Sequence, residues 1–213
     1  MAALSGKEIA ARLTTVNLEE RLVIGPILEP DEQLRDDQAS IDLRLGFEFA
    51  LVAPSSYGVI DEYEGVKGAL TPPSLRTFYT KKYVPLGNKI VIHPHQFILA
   101  STLEYMRLPK DLIAYVIGRS TWGRLGLIVA TAVGVQPGYA GTLTLELRNL
   151  GETPLSLYPG QAIAQLFFHK VDRVSLTGQA LGQYSGITDI LPRKMSSKQT
   201  FEKIRLIMEK RKH

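Results

Sequence analysis

The chain has 213 residues, 45% of them hydrophobic, and a formal net charge of +4 at pH 7. This length and composition fit one globular domain with short appendages, and no apolar run approaches the roughly 20 residues that span a membrane. The sequence has no cysteine, which excludes disulfides and zinc sites that need thiolates, including the site of the zinc-dependent nucleobase deaminases.

The positive charge is concentrated in the last residues of the sequence. Eight Lys or Arg against two Glu give residues 193–213 a charge of +6, which leaves −2 for the rest of the +4 chain. An apolar stripe in this segment predicts a basic amphipathic helix, so we divide the chain into a body, 1–192, and a helical tail, 193–213. Because the basic residues do not cover the body, the pattern argues against a nucleic-acid-binding protein.

The N-terminal elements are a helix, a strand and a long loop. Ser5 followed by Glu8 is a capping box that predicts a helix start, and the first residues lack the apolar core of a signal peptide. We therefore expect a cytoplasmic protein that does not associate with membranes. Alternation of apolar and polar residues over Ile41–Leu51 predicts a half-buried strand, whereas the Gly-, Pro- and Ser-rich stretch Ala53–Tyr83 predicts a loop.

Short strand signals then follow one another closely, separated by turn sequences such as LPKD and YPGQ. The predicted strands are Lys89–His93, Gln96–Met106, Leu112–Gly118, Leu127–Val135, Gly141–Asn149, Pro154–Tyr158 and Ala162–Val171. Many short strands at this spacing indicate a mainly all-β sandwich or barrel.

The stretch GRSTWGRLGL, Gly118–Leu127, places two arginines, two hydroxyl groups and three glycines after a predicted strand. Unpaired backbone N–H groups, hydroxyl groups and an arginine at such a turn suit phosphate oxygens. The alternative is a structural turn with surface arginines, and the motif alone does not decide between them.

The stretch Thr131–Asn149 contains one acidic residue, Glu146, and the nearest acid upstream is Asp111. Acids are rare in buried strands because desolvation is costly, and they are also rare in anion-binding pockets. Period 2 places Glu146 on the same face as Thr144 and Arg148, so Glu146 is either an ordinary solvent-facing residue or a functional one.

The segment QPGYAG, Gln136–Gly141, predicts a turn with Pro137-Gly138 at its corner. Tyr139 beside the glycines could present its ring to a sugar or a base. The alternative is that this ring packs across a β-hairpin.

The order of these motifs resembles the dCTP deaminase/dUTPase superfamily over about residues 4–170. The matching segments are LSGKEI near the start, QASIDLRLG (Gln38–Gly46), IHPHQFILASTLEYMRLPKDL (Ile92–Leu112), GRSTWGRLGL, TAVGVQPGYAG, LTLELRN and PGQAIAQLFF. The resemblance implies a distorted β-barrel or jelly roll of the dUTPase-like type, here with an N-terminal and a C-terminal helix. It also implies a homotrimer with active sites at subunit boundaries, no zinc, and Mg²⁺ carried by the nucleotide triphosphate.

Two positions distinguish the chemistries of the superfamily. The resemblance places Glu146 at the glutamate of the deaminases and Gln136 at the general-base aspartate of the dUTPases. An amide has no useful basicity, so the sequence favours deamination of dCTP to dUTP and ammonia. The alternatives are dUTP diphosphatase activity, alone or after deamination, and a non-catalytic nucleotide-binding regulator. The expected ligand is a deoxynucleoside triphosphate: dCTP first, with dUTP and dTTP as further candidates.

The same resemblance assigns the catalytic roles. Glu146 is the general acid/base, and Ser120 and Arg124 hold the nucleophilic water and the intermediate. Ala132 positions that water through its carbonyl oxygen, with Thr131 beside it.

The resemblance also implies contacts with the rest of the nucleotide. A C-terminal lid is expected to clasp the triphosphate, although Gln183 replaces the lysine of the family there. The contacts are Arg119, Ser120, Thr121 and Gln165 for phosphates, Tyr139 for the deoxyribose, Gln136 for the 3′-hydroxyl, and Gln183 and Tyr184 in the lid.

Overall fold

The computed structural model describes residues 3–52, 75–131, 134–172 and 188–191. The chain divides into two compact units, the first made of Met1–Leu51 and Lys81–Ile190, the second of Val52–Thr80 and Leu191–His213. The described residues of the second unit include a short 3-10 helix, Leu75–Phe78. The predicted helical tail, 193–213, lies outside the described residues, and every contact discussed below belongs to the first unit.

The helices in the described part of the chain are α1 (Gly6–Thr14), α2 (Pro30–Gln33) and α3 (Ser120–Arg124). The strands there are β1 (Val23–Gly25), β2 (Ser40–Val52), β3 (Tyr79–Tyr83), β4 (Ile90–Ile92), β5 (Phe97–Arg107), β6 (Leu112–Gly118), β7 (Leu127–Val129), β8 (Gly134–Val135), β9 (Ala140–Asn149), β10 (Leu155–Leu157) and β11 (Ala162–Lys170). None of these helices is long and apolar enough to cross a membrane.

The predicted all-β fold is confirmed. Within the described residues, nine strands form one curled sheet with the central order β7-β9-β5-β2-β11-β6-β8, and β10 and β4 form a second, two-stranded sheet. The central pairs β5–β9, β2–β5, β2–β11 and β6–β11 are antiparallel. Their inward-facing leucines, isoleucines and phenylalanines form one apolar core against which α1 also packs.

Helix α1 begins at the predicted capping box. The Ser5 backbone N–H donates to Glu8 Oε2 at 2.9 Å, and the Glu8 N–H donates to Ser5 Oγ at 3.4 Å. Ile9 is fully buried on the core face of the helix. An ion pair between Arg12 and Asp111 joins α1 to the residue before β6.

Several element boundaries differ from the sequence prediction. The predicted turn after Gly118 contains the one-turn helix α3, and the predicted strand Leu127–Val135 is divided into β7 and β8. Strand β3 lies within the stretch predicted as a loop, and its last residue, Tyr83, stacks on Phe47 of β2 with ring centroids 5.8 Å apart. The short elements β1 and α2 carry too few residues to give a periodic signal.

Strand β2 is buried on both faces rather than on one. Its apolar residues Ile41 and Leu43 face the core, yet Asp42 and Arg44 are only 7% and 5% exposed. These charged side chains have polar partners on neighbouring elements, which is the condition under which charges are tolerated in a protein interior. Alternation therefore predicted the strand correctly and the burial of its polar residues wrongly.

Candidate active site

Helix α3 and the residue before it are fixed to strand β11 by two hydrogen bonds. The Arg119 backbone N–H donates to Ile163 O at 3.0 Å, and the Trp122 indole N–H donates to Ala162 O at 2.9 Å. Gly126, at a φ of +89°, then turns the chain into β7 in a conformation that favours glycine. The exposed residues Ser120, Thr121 and Arg124 are thus displayed on a short helix with a fixed base.

Arg119 forms an ion pair with Asp42 of β2. The other carboxylate oxygen, Asp42 Oδ1, accepts a hydrogen bond from Gln165 Nε2 at 3.1 Å, and Gln165 Nε2 also lies 3.4 Å from Ser40 Oγ. Strand β11 brings these groups together because it pairs with β2 on one side and β6 on the other, with Gln165 opposite Asp42 and Ile117. The structure therefore joins two predicted phosphate contacts, Arg119 and Gln165, through an aspartate that sequence reasoning had not selected.

Asp42 and Arg119 line a polar cavity of about 330 Å³. Its other charged lining residues come from α2, its flanks and β2, and they include Glu29, Arg35 and Arg44. The acid-free stretch of sequence therefore does not produce acid-free surroundings for Arg119. Residues remote in the chain supply carboxylates to the cavity, and the lining carries both signs of charge.

Glu146 lies near the middle of β9, with its backbone fixed by the segment that follows β7. The Glu146 N–H donates to Thr131 Oγ1 at 2.9 Å, and Glu146 O accepts from the Ala130 N–H at 2.7 Å. Leu145 and Leu147 face the core as predicted, whereas Glu146 is half-buried. Burial raises the pKa of the Glu146 carboxyl above its usual value, because desolvation disfavours the charged form.

Tyr139 packs within the turn that connects β8 to β9. Its hydroxyl donates to Thr142 O at 2.6 Å, its ring packs against the apolar core, and burial raises its pKa to about 12. The corner residue Gly138 has a φ of +77°, and Gln136 is exposed just before it. The ring therefore packs against the protein, but not across a β-hairpin, because β8 pairs with β6 whereas β9 pairs with β5 and β7. The contact of Tyr139 with a deoxyribose remains a prediction.

Within one chain, strand β7 separates Arg124 from Glu146. Helix α3 ends before β7, whereas Ala130, whose N–H bonds to Glu146, follows β7. At about 3.3 Å per residue, the stretch Leu127–Ala130 spans roughly 10 Å. Ala132, Gln183 and Tyr184 lie outside the described residues, so their predicted roles are untested.

Comparisons with known proteins identify the family of the chain. A family model described as dCTP deaminase-like matches residues 3–171.

The chain belongs to the dCTP deaminase-like family.

Two curated relatives show how similar members of this family are. A protein of Methanobrevibacter smithii named "dCTP deaminase, dUMP-forming" is 38% identical over 169 residues, covering 79% of this chain and 80% of the relative. A protein of Natronomonas pharaonis named "dCTP deaminase" is 39% identical over 174 residues, covering 78% of each chain.

A solved structure supports the same fold. The 2′-deoxycytidine 5′-triphosphate deaminase of Agrobacterium tumefaciens superposes with a TM-score of 0.56 at 24% identity. The match covers 78% of this chain but only 46% of that protein's chain. Among the described residues of the present family member, no group of three or more His, Asp or Glu side chains is arranged to hold a metal ion.

Proposed function

We propose that this protein deaminates dCTP to dUTP and ammonia, acting in the cytoplasm as a homotrimer and without zinc. Mg²⁺ enters as part of the substrate, bound to the triphosphate. The observation that carries the proposal is Glu146, a half-buried carboxyl with a raised pKa at the position that the superfamily uses for deamination. The absence of cysteine agrees with a reaction that needs no thiolate-bound zinc.

The chemistry assigned to Glu146 is proton transfer. Its ionised carboxylate accepts a proton from the water that attacks C4 of the cytosine ring and delivers this proton to ring N3, which gives a tetrahedral intermediate. The carboxylate then takes the proton of the new C4 hydroxyl group and passes it to the amino group, so that the C4–N bond breaks, ammonia leaves and a carbonyl group remains at C4. The bonds from Thr131 and Ala130 to the Glu146 backbone hold this strand in one place, which favours a preorganised proton donor and acceptor.

The triphosphate is assigned to Arg119 and Gln165, with the hydroxyl groups of Ser120 and Thr121 as further donors. Asp42 holds Arg119, the residue after β6, together with Gln165 of β11, so the two donors face the ligand as a pair. The mixed charge of the adjoining cavity suits a magnesium complex better than a bare polyanion, because bound Mg²⁺ offsets part of the triphosphate charge.

The separation of Arg124 from Glu146 along β7 supports a site completed by a second copy of the chain. An Arg124→Ala variant and a Glu146→Gln variant, each inactive alone, are then expected to regain activity when they are coexpressed. In randomly assembled trimers, about a quarter of the subunit boundaries combine an intact Arg124 from one variant with an intact Glu146 from the other. About a quarter of the wild-type activity should therefore return. Absence of any recovery, with trimers present, would show that each site is built within one subunit.

The direct test is incubation of the purified protein with dCTP and Mg²⁺, with chromatographic separation of dCTP, dUTP and dUMP and a parallel ammonia assay. Wild type should release ammonia and dUTP in equal amounts. The result should be the same after a chelator has removed trace zinc and Mg²⁺ has been added back. Glu146→Gln should lose turnover, whereas Glu152→Gln, at an exposed glutamate, should not. Thermal stabilisation by dCTP without turnover would instead support the non-catalytic regulator.

A second candidate is formation of dUMP, favoured by the names of relatives such as the Methanobrevibacter smithii protein. Gln136 opposes it, because an amide cannot take a proton from a water that attacks a phosphate. Pyrophosphate should therefore be absent from the wild-type products. Its appearance from dUTP would establish the second activity and show that another group serves as the base.

A further inference from the structure

Glu104 of β5 is a fully buried carboxylate with no part in the proposed chemistry. Its Oε2 accepts from the Arg44 backbone N–H at 2.9 Å, and its Oε1 accepts from Gln33 Nε2 at 2.9 Å. The Arg44 guanidinium lies beside it, with Nη1 3.9 Å from Glu104 Oε1. Donors from α2 and β2 therefore converge on one carboxylate.

Gln33 connects this carboxylate to the candidate active site. It is fully buried, and its Nε2 donates to Asp42 O at 2.9 Å in addition to Glu104. Its Oε1 accepts from Arg44 Nη1. One amide side chain thus joins Glu104 to the backbone of the residue that holds Arg119 and Gln165.

Arg44 completes the cluster on the cavity side. Its Nη2 donates to Glu29 Oε2 at 2.6 Å, where Glu29 is 63% exposed and Arg44 is nearly buried. Glu29, Gln33 and Arg44 all line the cavity that contains Asp42 and Arg119. The wall of the cavity is therefore attached to β5 through Glu104.

We propose that Glu104 is a positioning residue for the triphosphate-binding groups, acting through Gln33 and Asp42 on Arg119 and Gln165. The identity of the ligand rests on the proposed function, whereas the mechanical connection does not. When Glu104 holds Gln33 and the Arg44 backbone, Asp42 is fixed on its strand, and Arg119 and Gln165 point into the site in one arrangement.

The charge of Glu104 determines whether this connection is complete. The groups that face its oxygens are donors, which the carboxylate accepts best. A protonated acid has less acceptor capacity, and an amide turns an NH2 group toward one of the donors. The charged group that lies directly beside Glu104 is Arg44. The carboxylate residues Asp42 and Glu29 are connected to Glu104 indirectly, Asp42 through Gln33 and Glu29 through Arg44. Burial raises the pKa of Glu104 to about 7, which places the change of form within the neutral range.

The first test measures binding of magnesium tripolyphosphate by calorimetry to wild type and Glu104→Gln at pH 8 and pH 6. At pH 8 the variant should bind about five- to tenfold more weakly, the effect of one impaired hydrogen-bond link. At pH 6 the two proteins should differ less than about twofold, because both then carry an uncharged side chain. Equal affinities at pH 8, or a difference that persists at pH 6, would overturn the proposal.

A matched control separates positioning from loss of stability. Thr102 is buried on the same strand, and its hydroxyl donates to Glu104 O at 2.8 Å and accepts from the Leu143 N–H at 2.9 Å, away from Gln33. Thr102→Val should lower stability yet bind tripolyphosphate as wild type does at both pH values. If Glu104→Gln does not fold, Gln33→Met breaks the same link and should weaken binding at pH 8 to a similar extent.

The second test needs no ligand. At pH 8, hydrogen exchange in peptides covering residues 40–44 and 119–124 should be faster in Glu104→Gln than in wild type. In Thr102→Val, exchange in residues 119–124 should equal that of wild type. Unchanged exchange in Glu104→Gln would overturn the positioning role. If wild type does not bind tripolyphosphate, the proposed phosphate site is wrong, and the exchange result alone decides the role of Glu104.

Discussion

The guanidinium of Arg119 is paired with the carboxylate of Asp42 although 77 residues separate them in the chain. Arg119 is partly exposed, whereas Asp42 is nearly buried. The aspartate therefore cannot follow the arginine toward a ligand, and it fixes the direction in which Arg119 points. A triphosphate that reaches Arg119 also meets the negative charge of Asp42, which disfavours a bare polyanion and favours its magnesium complex.

Asp42→Asn should reduce the preference for the magnesium complex. The asparagine oxygen can still accept from Gln165, but Arg119 loses its charged partner and its fixed orientation. Calorimetry should show magnesium tripolyphosphate binding about threefold more weakly, the approximate effect of ordering one long side chain, while the metal-free anion binds as well as before or better. Asp111→Asn, which breaks the Arg12 ion pair of α1, is the control, and equal losses for both ligands would contradict the argument.

Thr131→Val should impair turnover more than substrate binding. Valine matches the shape of threonine but cannot accept the Glu146 N–H, so β9 loses one of the bonds that hold the residue proposed to transfer protons. The expected fall in kcat is about three- to tenfold, corresponding to one hydrogen bond, with a smaller change in KM for dCTP. Thr131→Ser retains the acceptor and should restore most of the rate, and a serine variant as slow as the valine variant would disprove this role for the hydroxyl.

The pH dependence of kcat should reflect the raised pKa of Glu146. Only the ionised carboxylate can accept a proton from water, so kcat for dCTP should fall as the pH is lowered through that pKa. Because burial raises this pKa, the acid limb of the profile at saturating dCTP should lie above the usual value of 4.5. A limb at or below that value would assign the proton transfer to a different group.

Trp122→Phe tests how α3 is held on β11. The substitution keeps an aromatic ring in the core but removes the hydrogen bond from the indole N–H to Ala162 O. The free energy of unfolding in urea should fall by about 1 kcal/mol. Magnesium tripolyphosphate should bind more weakly because Ser120 is the first residue of the loosened helix and Arg119 directly precedes it. Tyr158→Phe, at a more exposed aromatic residue, should change neither quantity. Wild-type affinity in Trp122→Phe would show that the Trp122 hydrogen bond does not support the phosphate-binding residues.

Sequence patterns predicted correctly those structural features that depend on residues close together in the chain. The capping box of Ser5 and Glu8 and the alternation around Glu146 have the predicted geometry, because helix caps and strand faces follow short spacings. The Arg119–Asp42 pair could not be read from the sequence, since it exists only where β11 lies between β2 and β6. Glu104 shows the same limit, because alternation cannot show that a strand buries its glutamate and exposes its neighbour Tyr105.

Glu104 should make stability and phosphate binding respond to pH in opposite directions. Its folded-state pKa of about 7 exceeds the usual 4.5, so the folded protein holds a proton between these values that the unfolded chain has released. The resulting stabilisation is fully present below about pH 4.5 and is lost as the pH rises through 7.

Urea unfolding should therefore show the free energy of unfolding of wild type rising relative to Glu104→Gln by on the order of 2 kcal/mol from pH 8 to pH 5. The affinity of wild type for magnesium tripolyphosphate should fall toward that of Glu104→Gln over the same range. Glu8→Gln is the control. The hydrogen bond from the Ser5 backbone lowers the pKa of Glu8, so the stability that ionised Glu8 contributes is lost only at pH values below 4.5, outside the range measured. A constant stability difference between wild type and Glu104→Gln from pH 8 to pH 5 would show that Glu104 does not change its charge in this range.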